Sequence, residues 1–140
     1  MENWQYYGLF IDKDNHDKLI DVLVNNHWIG TFNSSEKKYL NHCTLLHNSQ
    51  KSLPQASYLI KLLNSKIKDK EIKITIDAVG LSNKAMAFRV ILPKSIYSIN
   101  KNPHITICTF NGGKPVESNN IIKWFLLEEP IQVKTTLKKI

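Results

Sequence analysis

Two short stretches, "NHCT" at Asn41–Thr44 and "PHIT" at Pro103–Thr106, set a histidine two residues before a threonine. The runs around them, "LNHCTLLH" and "NPHITICTF", otherwise read as buried strand. On a strand, residues i and i+2 project from one side about 6.5 to 7 Å apart. His42 with Thr44, and His104 with Thr106, therefore each present an imidazole and a hydroxyl together, while Cys43, Leu45, Ile105 and Ile107 face the opposite way into a core. Two imidazoles suit a reaction that needs a base on one side of its substrate and an acid on the other. The neighbouring hydroxyls can donate to phosphate oxygens. His47-Asn48-Ser49 repeats the spacing beside a turn and reads as coincidence. No His-x₃-His spacing, cysteine cluster or matched carboxylate accompanies either motif histidine, so neither a metal nor a cofactor is expected.

The elements that must position these residues alternate along the chain. "YYGLFID" (Tyr6–Asp12) reads as a strand. "DNHDKLIDVLVNN" reads as an amphipathic helix capped by Asp14 or Asn15, with Leu19, Ile20, Leu23 and Val24 inward. A polar loop holding Trp28, Phe32 and Ser34 leads to the strand of His42. Pro54 marks the start of a second helix that turns Leu59, Ile60, Leu62, Leu63 and Ile67 inward. The period then changes to two: "EIKITIDAVGL" and "KAMAFRVIL" flank the turn signal Ser82-Asn83 as a hairpin. The strand of His104, a Gly112-Gly113 turn, a helix from about Ser118 to Phe125 and a last strand in "PIQVKTTL" complete a β-α-β-α-β-β-β-α-β order.

At 140 residues and 42% hydrophobic the chain fits one domain, residues 1–140, with a proper core. Met1 to Phe10 has no basic leader, and no apolar run approaches the roughly 18 residues of a membrane span. A cytoplasmic protein without membrane contact is expected, acting as a monomer, with Cys43 and Cys108 reduced. The net charge of +7 invites an anionic partner such as a nucleotide or oligonucleotide. All basic residues but Arg89 are lysines, and those at 61, 66, 68, 70 and 73 read as a solvated face.

The paired "HCT" and "HIT" motifs, in this strand order, resemble those of the 2H phosphoesterase superfamily, the LigT-like enzymes and their cyclic phosphodiesterase relatives. "PHITICTFNGGKPVESNNIIKW" also resembles the second-motif region of RNA-repair members. The resemblance implies an α+β, bilobed fold: two pseudo-symmetric antiparallel sheets with flanking helices around a central cleft, and no metal. It implies that His42 and His104 are general base and acid in an order left open, with Thr44 and Thr106 on the non-bridging phosphate oxygens.

Further contacts are open to two readings. Tyr6, Gly8 and Phe10 share a side of the first strand, so Tyr6 and Phe10 either stack on a substrate base or pack in the core. Phe110 and Trp124 carry the same ambiguity, Lys114 follows the glycine turn within reach of a phosphate, and Arg89 lies on the polar side of its strand. The favoured activity is metal-independent cleavage of a small cyclic or oligonucleotide, a cyclic dinucleotide such as cGAMP or 2′-5′ oligoadenylate. The AT-biased composition is compatible with a viral or phage immune-evasion role. The alternatives are a 2′,3′-cyclic phosphodiesterase acting on RNA ends and a non-catalytic nucleotide-binding module.

Overall fold

The computed structural model describes residues 3–68 and 71–140. In order, the elements are β1 (Tyr6–Ile11), α1 (Lys13–Asn25), the short α2 (Ile29–Asn33), β2 (Lys37–Lys38), β3 (His42–His47) and α3 (Ala56–Lys66). They continue with β4 (Ile72–Leu81), β5 (Ala85–Ile91), β6 (His104–Thr109) and β7 (Lys123–Lys139), with 3₁₀ turns at Asn48–Gln50 and Pro115–Asn120.

The strands are joined edge to edge in the order β2-β6-β3-β1-β7-β4-β5, and an additional β5–β6 pairing closes the ring, leaving β2 as an appendage on β6. All the pairings are antiparallel. A single closed six-stranded sheet thus stands where two separate pseudo-symmetric sheets were expected. Closure leaves few strand edges exposed, which removes a route to edge-to-edge association. One core collects Leu9, Cys43, Leu45, Ile74, Ile76, Phe88 and Ile105 from the strands, with Leu19 and Leu23 of α1 and Leu59 and Leu63 of α3.

Local rules explain most elements. Asp12 caps α1 by accepting from the Asn15 amide at 3.2 Å and from its Nδ2 at 2.6 Å. The cap is thus two or three residues earlier than expected, and Asn15 instead joins helix to sheet by accepting from the Lys134 amide at 3.1 Å. Val22 rather than Val24 joins Leu19 and Leu23 inside, the i, i+3, i+4 stripe of a regular helix. Ile72, Ile74 and Ile76 are buried as the period of two requires. Lys61, Lys68 and Lys73 are exposed and Lys66 is half-buried; Lys70 lies outside the described residues.

The expected helix from Ser118 to Phe125 is not formed. Pro115 opens a 3₁₀ turn that stops at Asn120, and Lys123–Leu126 pair with Leu81–Ala78 as the first arm of β7. The register then jumps, so that the stretch up to Pro130 is accommodated opposite Asp77 before Ile131 pairs with Ile76. Proline has no amide to give a ladder, which suits it to this break. Trp124 accordingly lies on a strand across from Gly80, where a Cβ would come within 2.5 Å of the indole. Among the described residues no helix is long and apolar enough to cross a membrane.

Candidate active site

The first histidine strand is aimed by an unusual backbone. Lys37 and Lys38 pair with Thr109 and Cys108, and the amides of Tyr39 and Leu40 continue that ladder onto the carbonyls of Ile107 and Thr106, both at 2.9 Å. Leu40, only 1% exposed, then adopts a left-handed φ of 59°. A branched apolar residue pays for that conformation, and packing must hold it there. The chain leaves Leu40 redirected, so that the Asn41 carbonyl accepts from the Ile11 amide at 2.9 Å and His42 begins β3 beside β1.

Cys43 pairs with Ile105, antiparallel. Extending that register by one residue each way sets His42 across from Thr106 and Thr44 across from His104. Directly opposed residues of an antiparallel pair share a side. All four motif side chains therefore project together, and they line one cleft of about 440 Å³, within the range of small-ligand sites. Cys43, Leu45, Ile105 and Ile107 are buried on the other side, as expected. Burial pushes the Cys43 thiol up to about 12 and also raises Cys108, so neither is a nucleophile.

The ring orientations follow from two hydrogen bonds. His42 Nδ1 lies 2.6 Å from Asn41 Oδ1, and His104 Nδ1 lies 2.9 Å from the Asn102 carbonyl. Both partners can only accept, so each Nδ1 carries the proton and each Nε2 is left for the cleft. Burial lowers the pKa of both histidines; the charge of His104 lowers His42 further, whereas the Asn102 carbonyl works against the shift at His104. Thr106 Oγ1 lies 2.9 Å from the hydroxyl of Ser118, which the 3₁₀ turn buries to 1% exposure. Ser98 and Asn100 donate to the Thr44 carbonyl and clamp the loop before β6 onto β3. Among the described residues no three His, Cys, Asp or Glu side chains converge as a metal would require.

The remaining sequence candidates divide. Tyr6 lines the cleft, whereas Phe10 lies behind it, stacked on His42. Phe110 does not reach the cleft. A register shift in the β5–β6 pairing between Met86 and Ala87 adds a residue to β6, so the alternation flips after Ile107 and Phe110 packs against the core. Lys114 is exposed beside a separate shallow depression with Lys84 and Glu117. Arg89 spends its guanidinium on Asp77, with two contacts of 2.9 Å, and lies over Trp124. His47, read as coincidence, caps the turn after β3 by accepting from the Ser49 amide, yet its ring also borders the cleft. Sequence reasoning did not single out Asn41, Gln50, Asn100, Ser118 or Asn119. Asn41 and Ser118 sit inside the quoted "NHCT" and "PHITICTFNGGKPVESNNIIKW" runs, but their roles depend on contacts that spacing does not reveal.

Residues 5–140 match the model of the family described as the fungal tRNA ligase phosphodiesterase domain. The chain belongs to that family. It is thereby a member of the 2H phosphoesterase superfamily and a phosphodiesterase. Among solved structures, one described as a fungal RNA kinase superposes with a TM-score of 0.70 at 16% identity, over 97% of this chain and 45% of that one. This phosphodiesterase domain therefore spans less than half the length of that relative, and the likeness shows a shared fold. No curated protein matches the chain.

Proposed function

We propose that this domain opens 2′,3′-cyclic phosphates at RNA ends, with His42 and His104 as the proton-transfer pair. The reading is carried by the crossed arrangement of the two motifs in one cleft, set by the Cys43–Ile105 pairing. Residues on adjacent strands offset by two positions lie about 8 Å apart on the diagonal. A phosphorus seated at the centre of the tetrad has one imidazole on each side along that diagonal, and a threonine hydroxyl on each side along the other.

The reaction balances as addition of water across a P–O bond. One Nε2 takes a proton from water as its oxygen attacks phosphorus. The other histidine, protonated, gives its proton to the ribose oxygen that leaves, and an acyclic phosphate monoester remains. Thr44 and Thr106 donate to the non-bridging oxygens, whose charge grows in the transition state. Proton transfer of this kind contributes about 10² to 10⁴ in rate per group. One copy of the chain supplies all four side chains, so the proposed reaction needs no second copy.

The family description names a tRNA ligase and the superposed structure an RNA kinase, which favours an RNA end over a cyclic dinucleotide or 2′-5′ oligoadenylate. The test offers the protein, in EDTA, an RNA oligonucleotide ending in a 2′,3′-cyclic phosphate, a cyclic dinucleotide and 2′-5′ oligoadenylate. Ring opening of the first, with the others inert, is expected. Cleavage of either small nucleotide with the cyclic end untouched would transfer the assignment to the messenger-degrading activity.

A further inference from the structure

Phe10 pairs directly with His42 across β1 and β3, and Gly8 pairs with Thr44. Tyr6 alternates onto the same side. The three rings form one close group: Tyr6 to His42 is 4.9 Å between centroids at 21°, Phe10 to His42 is 5.0 Å at 22°, and Tyr6 to Phe10 is 6.1 Å at 22°. Gly8 makes the convergence possible. A Cβ there would stand 3.2 Å from the Tyr6 ring, 3.3 Å from the Phe10 ring and 3.4 Å from the Cys43 carbonyl, closer to both rings than side chains ordinarily pack. Lys138, paired across from Gly8, sets its Nζ 5.4 Å from the Phe10 centroid. Phe10 is thus held between an imidazole and an ammonium.

We infer that Tyr6 and Phe10 are positioning residues that act through His42, in place of the base-stacking role their residue types suggest. The inference rests on His42 being one of the proposed proton-transfer residues. An imidazole rotates about a broad χ2 well, so one hydrogen bond leaves its plane loosely defined. Asn41 fixes Nδ1 and the two rings fix the plane, and together they aim Nε2 at the phosphate. The rings also keep water from one side of the imidazole. The other titratable or charged groups facing this assembly are His104 from β6, Lys138 from β7, His47 at the end of β3 and the Tyr6 phenol itself. Of these, His104 disfavours the charged form of His42 directly.

The test uses adenosine 2′,3′-cyclic phosphate and an NMR titration of the histidine Cε1 protons. Phe10→Leu and Tyr6→Leu should each lower kcat roughly 10- to 100-fold, the scale of a misaimed group, with KM changed less than twofold. Tyr6→Phe and Phe10→Tyr, which keep a ring, should recover most of that turnover. In Phe10→Leu the His42 titration should move up toward the ordinary histidine value as water reaches the ring. Gly8→Ala perturbs the same rings without removing apolar area, and should show the same pattern more weakly even if a truncation misfolds. A raised KM with kcat intact would make the rings a base-stacking subsite and overturn the inference, as would an unmoved His42 titration. Wild-type protein that leaves the cyclic phosphate closed counts against the proposed reaction instead. The NMR titration, which needs no turnover, still decides the role of the rings in that case.

Discussion

Cys43 and Ile105 are paired across β3 and β6 with both side chains in the core, and this one pairing crosses the two motifs on the opposite side of the sheet. Each histidine consequently faces the threonine of the other motif. A slip of one residue in either strand would turn that strand's histidine inward and leave the other where it is. The core residues between the motif side chains therefore set the register as well as filling space.

The first prediction concerns that pair. His42→Ala and His104→Ala should each lower turnover of the cyclic phosphate by about 10² or more, with far-ultraviolet circular dichroism unchanged. The double variant should fall little further than the worse single one, because the two act as a unit. His47→Ala should cost much less, since its ring is occupied with Ser49. A loss at His47 equal to that at His42 would show that the wrong neighbouring histidine carries the chemistry.

Ser118 gives the second. Its buried hydroxyl lies 2.9 Å from Thr106 Oγ1 and, by donating to it, leaves the Thr106 proton for the phosphate in place of the Pro115 carbonyl 3.4 Å away. Ser118→Ala should lower kcat roughly two- to tenfold, the scale of one hydrogen bond. Added to Thr106→Ala it should change nothing more, because the contact is already gone. Steady-state kinetics on the four proteins of this cycle check it; additive losses would mean that Ser118 acts elsewhere.

Much of this site was readable from residue types, because a histidine and a threonine at i and i+2 in an apolar strand have few structural uses. The alternation that places Ile72, Ile74 and Ile76 inside, and the Ser82-Asn83 turn, are equally local signals. What escaped depends on pairing between distant segments. "SNNIIKWFLL" carries a helix-like spacing, yet Gly80 offers Trp124 a flat seat and the chain runs as strand. The extra residue in β6 that turns Phe110 away from the cleft leaves no mark in composition. Tyr6 and Phe10 share a side as alternation requires, but only the β1–β3 register brings both rings against His42.

That seat supplies the third prediction. A methyl at Gly80 would meet Trp124 at 2.5 Å and Ile121 at 2.6 Å. Gly80→Ala should therefore destabilise the fold by about 1 to 3 kcal/mol, as overpacking does, lowering Tm by several degrees. Combining it with Trp124→Ala should cost less than the sum of the two, since the second change removes the clash. Thermal unfolding of the three variants measures this, and strict additivity would place the Trp124 ring elsewhere.

The last prediction is the dependence on pH. The profile of kcat/KM should be bell-shaped, because one imidazole must start neutral and the other protonated. Burial lowers both, so both limbs should sit below the ordinary histidine value of about 6.5 and the optimum on the acid side of neutrality. The two midpoints belong to the pair. His42, lowered further by the charge of His104, is suited to the base, and His104, whose shift the Asn102 carbonyl opposes, to the acid. Stability should follow the same groups. A histidine whose folded pKa is depressed binds fewer protons folded than unfolded below about 6.5, so stability is fully present above that pH and declines as pH falls through it. Urea unfolding at pH 7.5 and 5.5 should show the loss, and His42→Gln or His104→Gln, which cannot titrate, should shrink it. If stability is flat across that interval and both activity limbs lie near 6.5, the two imidazoles titrate in the folded protein as they do unfolded, and burial does not shift them.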